Sequence, residues 1–350
     1  MADRRKARRA QTVSLQTKLD FLGKAGSYPE GAGHVEAVET HMSWVFLTDR
    51  HAYKLKKPVH YDFLDFSTLE ARRFDCEEEV RLNRRLAASV YLGLVTVTLE
   101  PAGRLALDGE GDDIEWLVKM RRLSNERRLD TLIKSGALRP SDLEAVGEIL
   151  SEFYCDAVPV SIDSDAYRRK YEKQIAECKE DLLYLGSDDI RESTKRVSET
   201  LTEFVSRNAS LLDARARENR IVEAHGDLRP EHVFLESPPV IIDCLEFSRF
   251  FRDLDPAEEL SYLAMECELL DGRSVGDELF RSYRVKSGDK PSPFLVDFYK
   301  AYRAFVRAKL AICHFKDPDV RDHQKWHDQT ALYLRRAMAY LHVLDGADGK

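Results

Sequence analysis

Residues 225–232 read His-Gly-Asp-Leu-Arg-Pro-Glu-His, and a predicted β-hairpin follows them and ends at the carboxylate of Asp243. This stretch places one carboxylate, Asp227, on a tight turn and a cation, Arg229, two residues later. Phosphoryl transfer needs a group that orients the attacking hydroxyl and an acid that holds the metal on a nucleotide. The residue types and their order therefore favour phosphoryl-transfer chemistry.

The same run resembles the catalytic loop His-Arg-Asp-Leu-Lys-Pro-Glu-Asn of protein kinases. It resembles more closely the His-Gly-Asp-Leu loop of aminoglycoside phosphotransferases and their small-molecule kinase relatives. Residues 39–48 and 54–59, ETHMSWVFLT and KLKKPV, resemble a bacterial branch of that family, which includes the kinase-like half of bifunctional phosphotransferase/P-loop ATPase proteins. The resemblance, over about residues 35–315, implies a two-lobed α+β fold. A small β-sheet lobe with one key helix precedes a larger, mainly helical lobe.

The resemblance also implies roles for the loop residues. Asp227 matches the catalytic base, which accepts or orients the proton of the substrate hydroxyl, and His225 belongs to the same catalytic motif. Arg229 stands where protein kinases carry a lysine that meets the transferring phosphate. Asp243, sixteen residues after Asp227, matches the aspartate that binds the metal. The alternatives are a structural turn aspartate at 227 and a surface arginine at 229.

Position 232 departs from the family pattern. Five residues after the catalytic aspartate the family usually has an asparagine that binds a second metal, whereas this chain has His232. Imidazole suits Mn²⁺ or another transition ion better than Mg²⁺. Three roles stay open for His232: a metal ligand, a hydrogen-bond partner that orients Asp227, or a structural histidine.

A lysine strand and an acidic helix complete the set that the resemblance implies. Lys54 has the Ala-x-Lys spacing of the strand whose lysine holds the α- and β-phosphates of ATP, although Lys56 lies on the same strand face. The helix predicted over residues 67–88 would supply an acid to pair with that lysine. Of the three consecutive acids at 77–79, Glu79 is preferred, and Glu78 is the alternative.

A glycine-rich phosphate loop is missing from the sequence. The hydroxyls of Thr40 and Ser43, between the first two predicted strands, are candidates to cover the phosphates together with backbone amides. Residues 119–123, with Met120 among them, are expected to form the hinge where adenine meets backbone amides. The implied cofactors are ATP and Mg²⁺, with Mn²⁺ as the alternative metal.

Composition excludes several other classes. The 350 residues carry a net charge of −8 with a pI near 5.8, which argues against nucleic-acid binding. The sequence has no apolar run of membrane-spanning length and no apolar signal core, and its six cysteines form no Cys-x-x-Cys pair. We therefore predict a cytoplasmic protein without a membrane partner. Residues 1–12 are predicted to form a mobile basic arm.

The remaining chain divides into a predicted N-lobe, 13–123, which binds nucleotide phosphates, and a C-lobe, 124–350, which carries the catalytic loop and acceptor site. In the C-lobe, Ser141 is the predicted N-cap of a helix that ends at residue 156. Arg303 and Arg307 share a helix face, for which solvent exposure is the favoured interpretation and contact with an anionic acceptor the alternative. Asp163 and Asp165 would favour a cationic acceptor instead.

The sequence thus predicts transfer of the γ-phosphoryl group of ATP to a hydroxyl of a small molecule. Two alternatives stay open. The missing glycine loop and His232 would suit a nucleotide-binding pseudokinase that acts as a regulatory module. The same fold could also transfer AMP instead of phosphate.

Overall fold

We describe the protein from a computed structural model, which covers residues 13–61, 64–317 and 320–347, without the side chains of 343–347. The chain forms two compact units. The first unit contains the chain up to Arg128 together with the later segment His232–Arg249. The second unit contains Leu129–Glu231 and the chain from Phe250 onward. The predicted basic arm, 1–12, lies outside the described residues. The roles assigned to a lobe of residues 13–123 and a lobe of residues 124–350 stay predictions.

The first unit is built on an antiparallel sheet. Its elements before Arg128 are, in chain order, α1 (Leu15–Leu22), β1 (Glu36–Glu39), β2 (Ser43–Leu47), β3 (His51–Lys56), β4 (His60–Tyr61), β5 (Leu64–Asp65), α2 (Leu69–Ala87), β6 (Tyr91–Leu99), β7 (Leu105–Leu107) and β8 (Asp112–Arg121). Six strands pair in the order β1-β2-β3-β8-β6-β7. Because β3 lies between β2 and β8, Lys54 is held opposite Val45 on one side and Val118 on the other.

Helix α2 has a buried polar stripe. Thr68 caps its N-terminus by accepting a hydrogen bond from the amide of Ala71 at 3.1 Å. A helix that packs on a sheet normally buries an apolar stripe. This one buries Arg72, Asp75, Glu79 and Asn83 together with apolar neighbours. Buried charges require partners, so the stripe points to an ionic cluster on this side of the sheet.

The later part of the chain is mainly helical, and its described residues include two short antiparallel strand pairs. Its elements are α3 (Leu129–Lys134), α4 (Pro140–Asp156), α5 (Ser164–Leu185), α6 (Asp188–Arg207), α7 (Ala209–Arg217), β9 (Val222–Glu223), β10 (Val233–Phe234), β11 (Val240–Ile241), α8 (Arg249–Arg252), β12 (Asp253–Leu254), α9 (Pro256–Glu268), α10 (Arg273–Ser287), α11 (Pro293–Cys313) and α12 (His323–Ala347). The β10–β11 hairpin belongs to the first unit. The predicted α+β class is confirmed.

One helix start differs from the prediction. The N-cap of α4 is Arg139 rather than Ser141, and the Asp142 carboxylate accepts hydrogen bonds from the Arg139 amide at 3.2 Å and from its Nε at 2.9 Å. Pro140 occupies the first helical position, where its missing N–H leaves no bond unmade. The proline therefore moves the start of the helix ahead of the predicted serine.

Within the ranges that the structure describes, no helix combines the length and the hydrophobicity that crossing a bilayer requires.

Candidate active site

The predicted site residues fall in both units. In the first unit, Lys54 Nζ lies 2.9 Å from Glu79 Oε1 and 2.9 Å from Asp243 Oδ1. Burial alone would lower the pKa of Lys54, but the carboxylates, led by Asp243, raise it well above its usual value. Lys54 is therefore a fixed cation, of the kind that holds phosphate oxygens.

Lys56 belongs to the same cluster but has different surroundings. Its Nζ lies 2.7 Å from Glu79 Oε2 and 2.5 Å from both Asp75 and Glu246. Its side chain is 1% exposed, and those of the three carboxylates are at most 11% exposed. Lys54 contacts the predicted metal ligand, whereas Lys56 is enclosed by buried acids. Glu79 bridges the two lysines.

The neighbouring acids of α2 have other partners. Glu77 pairs with Arg73 at 2.9 Å and Glu78 with Arg81 at 2.8 Å, and both arginine side chains are more than half exposed. Glu79 is thus the acid of this run that contacts Lys54.

We expect Asp75 to make the fold less stable as the pH rises from about 4 to about 7. Burial, with repulsion from Glu246, raises the pKa of Asp75 from 3.8 to about 7. In that window the folded carboxyl keeps its proton and the unfolded one has lost it, so unfolding releases a proton. The expected slope is at most about 1.4 kcal/mol per pH unit.

Urea unfolding of the native chain and of Asp75→Asn, from pH 4 to pH 7, measures this contribution. The difference between the two proteins cancels the titrating groups that do not interact with Asp75. Parallel stability curves would contradict the assigned protonation.

Asp243 has an unusual backbone conformation. Its φ is 62°, a region that residues other than glycine seldom adopt and that is frequent at functional sites. The amide of Asp243 donates to the Tyr91 hydroxyl at 3.1 Å, and the amide of Cys244 donates to Asn83 Oδ1 at 2.8 Å. These contacts hold the backbone, while the Asp243 side chain stays 45% exposed and accessible to a ligand.

His232 lies beside Asp243. The β10–β11 hairpin lets the amide of Ile242 donate to the carbonyl of His232 at 3.0 Å, and His232 Nε2 lies 3.5 Å from Asp243 Oδ2. Among the residues with described coordinates, no three His, Cys, Asp or Glu side chains form a metal-binding group. Mg²⁺ usually takes one or two carboxylates and completes its shell with water and phosphate oxygens. The Asp243 carboxylate therefore fits a metal that is bound together with a nucleotide, and the imidazole of His232 would suit Mn²⁺ better than Mg²⁺.

In the second unit, the backbone of the predicted catalytic loop is held by a buried acid on α9. Glu259 Oε2 accepts from the amide of His225 at 3.1 Å, and Oε1 accepts from the amide of Gly226 at 2.5 Å. Tyr154 donates to the same carboxylate at 2.7 Å. The His225 Nδ1 accepts from the amide of Asp227 at 3.3 Å. His225, which is fully buried, thus positions the backbone of Asp227.

The Asp227 side chain is oriented through both oxygens. Tyr262 donates its hydroxyl to Oδ1 at 3.0 Å, and Arg229 donates Nε to Oδ2 at 3.1 Å. Arg229 also lies 2.6 Å from Glu231 and is 20% exposed, so it is a paired residue of the loop rather than a free surface arginine. Asp227 itself is 28% exposed. It is an accessible carboxylate in a fixed orientation, as a catalytic base requires.

The three other predicted nucleotide-binding residues, Thr40, Ser43 and Met120, make contacts within the first unit that stabilise its fold. The Thr40 hydroxyl donates to the carbonyl of Ser43 at 2.9 Å and accepts from its amide at 3.0 Å, which closes the turn between β1 and β2. Met120 lies in β8 within an apolar cluster that includes Ala52 and Phe234. Their contacts with a nucleotide stay predictions.

The preference for a solvent-exposed face at Arg303 and Arg307 is wrong. These side chains are only 11% and 17% exposed, and they pair with Glu258 at 2.7 Å and Glu266 at 3.0 Å on α9. Sequence reasoning also missed Tyr262. The available signal was the acids at 258, 259 and 266 among the apolar residues of α9, because buried acids need donors from elsewhere.

Two acids proposed for a cationic acceptor have local partners. Asp163 caps α5 by accepting from the amide of Ala166 at 3.1 Å. Asp165 pairs with Arg168 on the same helix. Both contacts are ordinary helix-end interactions.

The antiparallel sheet with its lysine–glutamate pair and the helical unit with its His-Gly-Asp loop define a protein-kinase-like fold. The chain shares this fold with a choline/ethanolamine kinase family protein from Mesorhizobium loti, at 16% identity and a TM-score of 0.51 over 93% of this chain and 99% of that one. It also resembles a glucosamine kinase in complex with glucosamine, ADP and inorganic phosphate, at 10% identity and a TM-score of 0.53 over 92% and 85% of the two chains. A ternary complex of an aminoglycoside phosphotransferase mutant with AMP-PNP and hygromycin B matches at 11% identity and a TM-score of 0.53, over 92% and 97%. The predicted resemblance in fold is confirmed.

Among curated proteins, the chain is 35% identical over 287 residues to uncharacterized proteins of Mycobacterium tuberculosis and Mycobacterium bovis. The match covers 80% of this chain but 55% of those proteins, so the chain spans about half the length of these relatives. No protein-family model matches the chain.

Proposed function

We propose that the protein is an ATP-dependent phosphotransferase that moves the γ-phosphoryl group to a hydroxyl of a small molecule in the cytoplasm. The observation that carries this proposal is the contact of Lys54 with both Glu79 and Asp243. Such a lysine is held where it can neutralise nucleotide phosphates next to a metal-binding carboxylate. The similar structures include complexes of small-molecule kinases with ADP and with AMP-PNP.

In the proposed reaction, each polar group has one task. Lys54 holds phosphate oxygens, and Asp243 with His232 would hold Mg²⁺ or Mn²⁺, which offsets phosphate charge when it is bound. Asp227 orients the acceptor hydroxyl and takes its proton, while Arg229 offsets negative charge on the transferring group. The acceptor oxygen forms a bond to the γ-phosphorus, and the bond from that phosphorus to the β–γ bridging oxygen breaks, which releases ADP.

We expect Asp243→Asn to weaken metal-dependent ATP binding by at least about tenfold, equivalent to about 1.4 kcal/mol. The amide removes the negative charge that attracts the metal and keeps the shape of the side chain. Calorimetry with ATP and Mg²⁺, and then with Mn²⁺, measures the change.

A suitable control is Glu77→Gln, which removes an exposed acid of α2 that pairs with Arg73 at 2.9 Å. The control should bind ATP like the native chain. If the native chain binds no ATP with either metal, the proposal fails. A preference for Mn²⁺ would support His232 as a ligand.

A regulatory, nucleotide-binding pseudokinase is the second candidate. It is favoured by the β1–β2 turn, where the Thr40 hydroxyl closes the turn on Ser43 in place of a glycine loop. ATP binding without any modified acceptor would support it. Transfer of AMP would instead yield an adenylylated product and pyrophosphate, which mass spectrometry distinguishes from a phosphorylated product and ADP.

A further inference from the structure

Two arginines of α11 lie around the tyrosine that orients the proposed base. The Arg303 guanidinium lies 5.1 Å from the centroid of the Tyr262 ring, and the Tyr262 hydroxyl donates to Asp227 at 3.0 Å. The charge of Arg307 also acts on Tyr262 and on Asp227. The arginine pair is thus close to the proposed base within the same unit.

The carboxylates of α9 in this cluster already have internal donors. Glu258 accepts from the Tyr171 hydroxyl at 2.6 Å and pairs with Arg303. Glu266 accepts from the Tyr333 hydroxyl at 3.0 Å and from Arg307 Nε at 3.0 Å.

The third carboxylate, Glu259, binds the backbone amides of His225 and Gly226. The acceptor capacity of these acids is therefore used for packing and for positioning the catalytic loop.

The two arginines, in contrast, have N–H donors that no acceptor among the described residues uses. An arginine has five N–H donors, and Arg307 uses Nε for Glu266 and Tyr333. Among the described residues, neither Nη group of Arg307 has a hydrogen-bond partner, and its side chain is 17% exposed. Within the part of the chain that the structure describes, Arg303 Nε is buried and has no hydrogen-bond partner. A donor without a partner is costly, so a ligand that supplies oxygens to the Nη groups of the partly exposed Arg307 would be favoured.

A third cation, Lys170, lies near Arg303. Lys170 is 6% exposed, and its Nζ donates to the carbonyl of Asp253 at 2.7 Å. Burial lowers the pKa of Lys170 to about 8, with Arg303 adding to the effect and Glu258 opposing it. An anion placed among these groups would relieve their mutual repulsion.

We propose that Arg303 and Arg307 bind an anionic group of the hydroxyl acceptor, a carboxylate or a phosphate. The inference rests on the proposed function and adds the chemical class of its second substrate. A planar guanidinium with two accessible Nη groups can hold two oxygens of such an anion. A cationic acceptor would be disfavoured, because the arginines would repel it and the carboxylates of this cluster already have partners.

Four polyols with similar hydroxyl chains and different charges test the proposal. D-gluconate carries a carboxylate, sorbitol 6-phosphate a phosphate, sorbitol no charge and N-methylglucamine a cation. Their affinities are measured by calorimetry with the full chain saturated with AMP-PNP and Mg²⁺, so that phosphate-binding groups for the nucleotide are already filled. We expect at least one anion to bind at least about tenfold more tightly than sorbitol. The stronger of the two anions identifies the acidic group.

Arg307→Gln should reduce this preference to about twofold or less. Lys309→Gln is the matched control, because it removes a cation of the same helix that pairs with Asp181 at 3.6 Å, and it should keep the preference. Arg307→Lys retains the charge without the paired Nη groups and provides a second test if the glutamine variant unfolds. Its preference should fall between those of the native chain and the glutamine variant.

Equal binding of the four probes, no binding, tighter binding of the cation, or an unchanged preference in both Arg307 variants would overturn the inference. Binding of AMP-PNP distinguishes this failure from failure of the proposed function. A chain that binds the nucleotide without preferring an anion contradicts only the acceptor class. A chain that binds no nucleotide contradicts the kinase proposal itself.

Discussion

Replacement of Asp227 by asparagine is expected to slow phosphoryl transfer by about 10²–10⁴-fold, with little change in ATP affinity. The amide can still accept the hydroxyl of Tyr262 but cannot take the proton of the acceptor hydroxyl. The residues that contact Lys54 are unchanged, so the nucleotide should still bind. ADP formation, with the best acceptor of the polyol series and with water alone, measures the loss.

Asp213→Asn is a suitable control for that experiment. Asp213 pairs with Arg168 at 2.7 Å in the same unit and is 20% exposed, compared with 28% for Asp227. The control should keep the turnover number of the native chain. Equal turnover in Asp227→Asn and the native chain would show that Asp227 is not the base.

The largest expected effect on stability is that of Lys56→Met, a loss of about 3–5 kcal/mol in the free energy of unfolding. Methionine fills a similar volume but leaves Glu79, Asp75 and Glu246 without the cation that lies 2.5–2.7 Å from each of them. Removing one partner from a buried ionic cluster leaves uncompensated charge in a weakly polarisable interior. Urea unfolding at neutral pH measures the loss.

Lys57, the next residue along the chain, provides the control for Lys56→Met. Lys57 pairs with Glu39 at 2.5 Å, but that glutamate is 53% exposed, so Lys57→Met should cost no more than about 1 kcal/mol. If the two substitutions destabilise the fold equally, Lys56 does not hold the cluster together.

Much of the first unit could be predicted because its signals are local. The resemblance to the kinase family identified Lys54 and favoured Glu79 among the three acids at 77–79, and the structure brings Glu79 to Lys54 at 2.9 Å. The hairpin after residue 232 was evident from its apolar pattern, and its pairing explains why His232 lies next to Asp243.

The surroundings of Asp227 could not be predicted in the same way. Glu259 lies 33 residues after its partner Gly226, and Tyr262 lies 35 residues after its partner Asp227, on a helix whose face depends on tertiary packing. For the same reason, charge and i, i+4 spacing suggested a solvated face for Arg303 and Arg307, which instead pair with α9. Helix periodicity predicts which residues share a face of a helix, but it does not predict which other element packs against that face.

The lysine cluster of the first unit has a consequence for electroneutrality. Lys54 and Lys56 contact four carboxylates, those of Asp75, Glu79, Asp243 and Glu246, so two positive charges face four negative ones when all are ionised. Free ATP would add negative charge to an excess that is already present, whereas a divalent cation would cancel it. We therefore expect nucleotide and metal to bind as one complex, and free nucleotide to be disfavoured. Burial, with repulsion from Glu246, raises the pKa of Asp75 to about 7, and the proton that it then retains lowers the same excess of negative charge.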